Sequence, residues 1–477
     1  MDAFFAAVEQ AAKPSVRGKP VIVGGLGPRG VVATASYEAR RFGVRSAMPM
    51  AQARRLCPNA AFLEPRFSLY RQVSDTVMGL LHRLSPLVEP LSLDEAFVDL
   101  AAGPAAGESL DAREVGERLR RDIRAATGLT CSVGLAACKM LAKIASEQAK
   151  PDGLVVIPPG GERELLAPLP VRTLPGVGPA TEQVLRRAGI TTVGEAEAAG
   201  PDELVRLLGR AHGTALYAMA RGVDERPVVS ERHAKSVSVE DTFDEDVTDR
   251  VRIRLELDRL AERCARRLRE AGRSGRTVVI KVRRYDFSTL TRSETLRGPT
   301  DDPRLIRETA ARLLQQVDTT TGVRLLGVGV SGLADYAQED LFAQIPGGEG
   351  GGAGPGRDGA DAGEDGRPGA DAGAGEEPRD ARGRGGWRPG QDVRHAVYGP
   401  GWVQGSGLGR VTVRFETPDS GVGRVRTFAV DDPDLTRAEP LPLVPPALAG
   451  PGVASDDAGT PPDGTADGTG TDTGTVG

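Results

Sequence analysis

The sequence predicts a multidomain α+β chain whose large globular body ends well before the C-terminus and is followed by a small β module. Three observations carry this. From Met1 to about Leu165, strand-like runs (20–23, 30–35, 130–135, 154–157) alternate with helical patterns such as 110–126, and the same mixture returns after Lys235. Between them, residues 166–230 hold short helical runs joined by Gly and Pro. Finally, the 62 Gly and 35 Pro exceed what one compact enzyme carries. Many fall in 346–386 and 441–477, which contain little that could be buried against the entropy of ordering, and read as a disordered linker and tail. The intervening 387–440 alternates Val411, Val413 and Phe415 between Gly-rich turns, the pattern of a small β-barrel or ribbon.

The 477 residues suggest about three domains. No run reaches the roughly 18 consecutive apolar residues of a membrane span, and the N-terminus is no signal peptide, so the expectation is a cytoplasmic protein with no membrane partner. Cys57, Cys131, Cys138 and Cys264 form no CxxC pair and lie far from the four histidines, against both a disulfide framework and a structural zinc site. The net charge of -5 conceals an asymmetry. Residues 346–477 hold 12 Arg and 21 acidic residues, which leaves 1–345 at +4, a mildly basic body suited to a polyanion.

The most informative segment is 91–100, Leu-Ser-Leu-Asp-Glu-Ala-Phe-Val-Asp-Leu, where Asp94 and Glu95 stand between two apolar runs. Adjacent carboxylates in a hairpin repel and resist desolvation, so they need a counter-charge, for which a divalent metal is economical. Neighbours on a regular strand point to opposite faces, so both acids could face one metal only at a turn or bulge; an ordinary exposed turn is the alternative. Residues 31–44 read as a strand leading into a helix, with Thr34, Tyr37 and Arg40 spaced to face one anion such as a triphosphate. Residues 134–153 place three of the seven lysines within twelve residues (Lys139, Lys143, Lys150), fitting either a phosphate role or one solvated helix face.

Together with the apolar, aromatic start Met1–Gln10, these segments resemble the Y-family translesion DNA polymerases, in particular the DNA polymerase IV branch, over about residues 1–345. The resemblance implies a ferredoxin-like palm with fingers (1–165), a helical thumb with a helix-hairpin-helix (166–232) and an α/β little finger (233–336). It also implies an error-prone DNA-directed DNA polymerase that adds dNTPs to a primer on template DNA by two-metal phosphoryl transfer, with two Mg²⁺ ions in the site. Carried onto this chain, Asp94 resembles the ligand of both metals and Glu95 its partner at the primer hydroxyl. Phe5 resembles the steric gate that excludes a 2′ hydroxyl, and Thr34, Tyr37, Arg40 and Lys150 the triphosphate cradle. One departure stands out. The family's first motif is Asp-x-Asp, and here Met1 fills the x position and Asp2 the second Asp, so the first metal-binding Asp and its strand are missing. A start placed too far downstream is the preferred explanation, and a catalytically inactive clamp-bound scaffold the alternative.

Further along, Gly176 and Gly178 precede a helical run, a spacing that exposes backbone N–H groups to phosphate but that a tight turn also needs. Set in the thumb, they resemble the hairpin that grips duplex DNA. In 276–284, Val278, Ile280 and Val282 point to one face and Thr277, Lys281 and Arg283 to the other, for phosphates or for solvent. Gln338, Leu341 and Phe342, within 337–345, form either an ordinary chain end or a docking peptide, and resemble the Gln-x-x-Leu-Phe peptide that bacterial polymerases insert into the sliding clamp. The 387–440 module is similar to Tudor-like or SH3-like barrels. Its seven basic and seven acidic residues favour an unknown protein partner over DNA. The whole is expected to be a monomer.

Overall fold

The computed structural model describes residues 1–104, 111–230, 234–334 and 386–443; the predicted clamp peptide with Gln338, Leu341 and Phe342, nearly all of the linker, and the tail from 444 lie outside the described residues. The helix Phe4–Ala12 buries Phe4, Val8 and Ala12, one stripe at i, i+4, i+8, against Leu69, Tyr70 and Val73 of the long helix Phe67–Leu84. Beside it lies a three-stranded sheet in the order Val32–Ala35, Val21–Gly24, Ala61–Leu63. Its middle strand is an unbroken apolar run buried on both faces, and the helices Tyr37–Arg40 and Met50–Leu56 complete this small body.

The palm departs from the single ferredoxin-like sheet that the sequence predicts. The hairpin Val88–Pro90 with Ala96–Val98 and the parallel pair Val133–Leu135 with Leu154–Val156 are separate two-stranded sheets. Met1 and Asp2 run between them. The Met1 ammonium donates to the Asp94 carbonyl at 2.7 Å, and the Asp2 N–H to the Thr130 carbonyl at 3.2 Å. Ala96–Val98, Val133–Leu135 and Leu154–Val156 are half-buried.

The thumb comprises the helices Glu162–Leu166, Pro179–Arg187, Val193–Leu208 and Arg210–Ala220. Its core crosses the boundary predicted at 166: Met140, Leu141, Ile144 and Ile157 share one apolar cluster with Leu174, Leu185, Leu204 and Leu216. The helix Lys139–Gln148 thus belongs to both bodies, and Asp224, after the last thumb helix, accepts the Met140 N–H at its start. The little finger runs strand, helix, strand, strand, helix, strand (Ser236–Val247, Arg250–Glu270, Ser274–Arg284, Thr289–Thr300, Pro303–Gln315, Val323–Ala334). The sheet is antiparallel with Ser274–Arg284 and Val323–Ala334 at its centre. As the alternation predicts, Val278, Ile280 and Val282 are buried with residues of both helices.

The C-terminal module is an antiparallel sheet of five strands (Asp392–His395, Gly399–Gly407, Arg410–Phe415, Arg424–Ala429, Leu435–Arg437). Its outermost strands, Arg424–Ala429 and Leu435–Arg437, do not pair with each other among the described residues, so no ladder closes a barrel there. Among the described residues, no helix is long and apolar enough to cross a membrane.

The strand Val133–Leu135 approaches the helix Lys139–Gln148 so closely that a methyl group on Gly134 would collide with the backbone of Ala142 and Ser146. Backbone cannot swing aside as a side chain can, so Gly134→Ala should lower stability by about 1–3 kcal/mol, read as a fall in the urea midpoint at unchanged m.

Candidate active site

The two acids singled out in the sequence sit on a turn. The N–H groups of Leu91 and Ser92 both donate to the Glu95 carbonyl, at 2.8 and 3.2 Å, closing a loop that frees Asp94 and Glu95 from strand alternation. Ser92 Oγ donates to Asp94 Oδ1 at 2.8 Å, and Lys143 Nζ to Glu95 Oε2 at 2.9 Å. Burial alone would raise the Glu95 pKa, but Lys143, through its hydrogen bond and its charge, and Lys150 pull it below the ordinary carboxylate value. Two lysines therefore bring positive charge where the acids need it. These hard oxygen donors suit Mg²⁺, and Asp94 and Glu95 are the residues that would hold it. Asp2 does not join them: it is buried, accepting from Ser132 Oγ at 2.7 Å and the Asp152 N–H at 2.8 Å. A further grouping with metal-ligand spacing, His395 with Asp432 and Asp434, lies in the module, apart from this turn.

The clustered lysines have separate roles. Lys139 is buried against Glu89 at 2.8 Å, Lys143 pairs with Glu95, and Lys150 pairs with Glu147 at 2.8 Å. Lys150 also lies within electrostatic reach of both Glu95 and Tyr37. Tyr37 opens the one-turn helix Tyr37–Arg40, with the Arg40 guanidinium 4.8 Å from its ring centroid and Arg40 Nε donating to the Ala35 carbonyl at 3.0 Å. The Tyr37 hydroxyl is buried and has no hydrogen-bond partner. Burial and nearby Asp2 raise its pKa against the opposing pull of Arg40 and Lys150, so it stays protonated and able to donate. Thr34, half-buried, lies on the strand leading to this helix. A neutral donor without an acceptor beside two cations is a site for an anion.

Phe5 is half-exposed, stacked on Tyr70 at a centroid distance of 4.5 Å and 11° between planes, with Phe67 edge-on at 5.8 Å. Beneath it lies a charge cluster that the sequence reading missed. The Tyr70 hydroxyl donates to Glu9 Oε1 at 2.7 Å, Arg66 donates to both Glu9 oxygens at 2.9 and 2.8 Å, and Lys13 pairs with Glu9 as well. Full burial would raise the Glu9 pKa, but Arg66 and Lys13 overcome it and bring the carboxyl to about 2. The available signal was two opposite charges, Glu9 and Lys13, one turn apart on an otherwise apolar helix.

In the thumb, Gly176 has φ 83, reachable without strain only by glycine. At Gly178, by contrast, a Cβ would meet nothing within 4 Å, and this residue caps Pro179–Arg187 without a side chain, leaving the helix N-terminus open to a phosphate. As the short helical runs joined by Gly and Pro predict, Gly200 (φ 80), followed by Pro201, breaks the helical run Val193–Leu208, and Gly209 (φ 81) separates it from Arg210–Ala220. On the little finger, Lys281 lies on the predicted solvent face but pairs with Glu240 at 3.0 Å, while Arg283 Nε donates to Thr289 Oγ1 at 3.0 Å.

Family models match each body in turn: one described as the impB/mucB/samB family at residues 1–147, one as the thumb domain of DNA polymerase-iota at 172–224, and one as the impB/mucB/samB family C-terminal domain at 234–341. A Y-family polymerase chimera of Dbh and Dpo4 superposes with a TM-score of 0.63 at 27% identity, over 69% of this chain and 96% of its own. The Dbh polymerase in an insertion ternary complex superposes at 0.52 over the same shares. A DNA polymerase IV of Streptomyces coelicolor is 70% identical over 95% of this chain and 92% of its own, and one of Corynebacterium diphtheriae is 41% identical over 92% and 97%. One from Xanthomonas campestris, 45% identical, is matched over 97% of its length but 72% of this chain. The fold and these matches define a Y-family DNA-directed DNA polymerase, and within that class the chain belongs to the DNA polymerase IV family.

Because Glu9 falls from 4.5 unfolded to about 2 folded, its ionisation stabilises the native state fully above about 4.5, and that contribution is lost as pH falls toward about 2. Glu9→Gln should cost about 3–5 kcal/mol near neutral pH, by stranding buried cations, and flatten this part of the acid limb in urea titrations between pH 6 and 2.

Proposed function

We propose that the chain extends DNA primers past template lesions by metal-assisted phosphoryl transfer at Asp94 and Glu95. The observation that carries this reading is electrostatic: Lys150 interacts with both Glu95 and Tyr37, which ties the paired carboxylates and the buried phenol to one neighbourhood. Two bound Mg²⁺ ions would activate the primer hydroxyl and neutralise triphosphate charge. Asp94, oriented by Ser92, and Glu95, held ionised by Lys143, provide the oxygens for them. Thr34, the Tyr37 hydroxyl, Arg40 and Lys150 receive the triphosphate, and Phe5 lies under the sugar as the steric gate. Gly176 and Gly178 offer backbone N–H groups to the duplex, and Lys281 and Arg283 meet its phosphates once Lys281 exchanges Glu240 for DNA. The fingers are small, with helices of 4 and 7 residues, which suits loose contact with the nascent base pair and hence low fidelity and tolerance of damaged bases. Gln338, Leu341 and Phe342 tether the enzyme to the sliding clamp. An inactive scaffold would have no use for the charge pattern around Tyr37 and Glu95.

Primer extension with the full chain tests this. Asp94→Ala should abolish extension while leaving primer-template affinity within about twofold; substantial residual synthesis would remove Asp94 from the chemistry. Phe5→Ala should raise ribonucleotide incorporation relative to deoxynucleotide by about 100-fold or more, and unchanged sugar discrimination would refute the gate.

A further inference from the structure

The C-terminal module is seated on the catalytic body. Trp402 is buried in one apolar cluster with Ala6, Val16, Val21 and Leu63. Its indole N–H donates to Glu416 Oε1 at 2.9 Å, and the same oxygen accepts from Ser15 Oγ at 2.6 Å. At the edge of this seam the Glu64 N–H donates to the Pro389 carbonyl at 3.0 Å. Asp392 reaches further in. Both its oxygens accept from Arg66 Nη1 at 2.8 Å, while Nε and Nη2 of the same guanidinium hold Glu9.

One arginine fork is thus divided between a carboxylate of the module and a carboxylate of the helix that carries Phe5. From Glu9 the chain of contacts runs through the Tyr70 hydroxyl to the Tyr70 ring, and from that ring to the face of Phe5. The cluster balances two anions, Glu9 and Asp392, against two cations, Lys13 and Arg66. Neutralising Asp392 leaves an excess positive charge where Glu9 and Tyr70 are fully buried, and Arg66 must then move toward water or take more of Glu9. Either response disturbs the acceptor that fixes Tyr70. Phe5, half-exposed, has Phe67 edge-on and Phe4 tilted at 5.8 Å, but Tyr70 is the one ring stacked on its face, so a shift of Tyr70 changes the plane of Phe5 directly.

We propose that Asp392 is a positioning residue for sugar selection, and that the module is an internal brace which sets the plane of Phe5 through Arg66, Glu9 and Tyr70. This rests on the reading of Phe5 as the steric gate. The brace is additional to the chemistry: the Xanthomonas relative, matched over 97% of its own length, leaves more than a quarter of this chain without a counterpart.

The test is the ratio of kcat/KM for insertion of a ribonucleotide to that of its deoxynucleotide, opposite one template base, in the full-length protein. Asp392→Asn should raise this ratio about tenfold with deoxynucleotide insertion little changed, and Asp392→Glu should restore part of it. Val397→Ser, on an exposed residue of the module, should leave the ratio as in the parent. Phe5→Ala should raise the ratio further, and adding Asp392→Asn to it should change nothing more, because both act through one ring. If Phe5→Ala moves the ratio and Asp392→Asn does not, the brace is refuted and the gate stands. If Phe5→Ala itself leaves the ratio unchanged, the gate reading fails and the brace falls with it. Equal loss of both insertions with a constant ratio would make Asp392 a structural support only, and overturn the proposal. Should Asp392→Asn not fold, Arg66→Lys, which keeps the charge and loses the fork, carries the same expectation. The relative affinities of the two nucleotides for a complex with a dideoxy-terminated primer provide a readout that needs no turnover.

Discussion

Adjacent carboxylates that cannot leave each other are the constraint around which the palm is organised. Asp94 and Glu95 follow one another on a turn of five residues, so their repulsion cannot relax by moving either acid away. The protein answers with two cations, Lys143 and Lys150. Both lie on or just beyond a helix anchored by the buried Lys139–Glu89 pair. The positive charge that holds Glu95 ionised reaches Tyr37 as well, through Lys150.

A second concentration of charge, at Glu9, differs in kind. Its members are buried, their hydrogen bonds are directed, and their effect is mechanical. Where the acidic turn keeps its charges half-exposed and exchangeable, Glu9, Lys13 and Arg66 are enclosed and fixed. The first suits ligands that come and go, and the second suits a surface that must not move.

What the sequence revealed follows from how local each signal was. Asp94 and Glu95 are a contradiction within ten residues, acids between apolar runs, and so are legible. The little-finger strand is legible because burial alternates with the pleat, and Val278, Ile280 and Val282 are buried as their spacing requires. Which strands of the palm pair was not legible, because strand propensity says nothing about partners. The Arg66 fork was hidden for a related reason: its partners lie 57 and 326 residues away in the chain, and one belongs to a module that composition alone suggests is separate. A balanced count of charges there pointed to an outside protein, yet Trp402, Glu416 and Asp392 are engaged with the chain's own first 70 residues. The junction at Gly200 was legible because Gly-Pro breaks a helical run locally.

The helix Lys139–Gln148 has its apolar side in the thumb's core while Lys143 on it pairs with Glu95 and Lys150, just past its end, lies within electrostatic reach of the same acid. It is therefore a lever with its fulcrum in one body and its tip in another. A rotation of the thumb's core must carry Lys143 and Lys150 with it, so a movement in one body is felt as a change of charge beside the acids of the other.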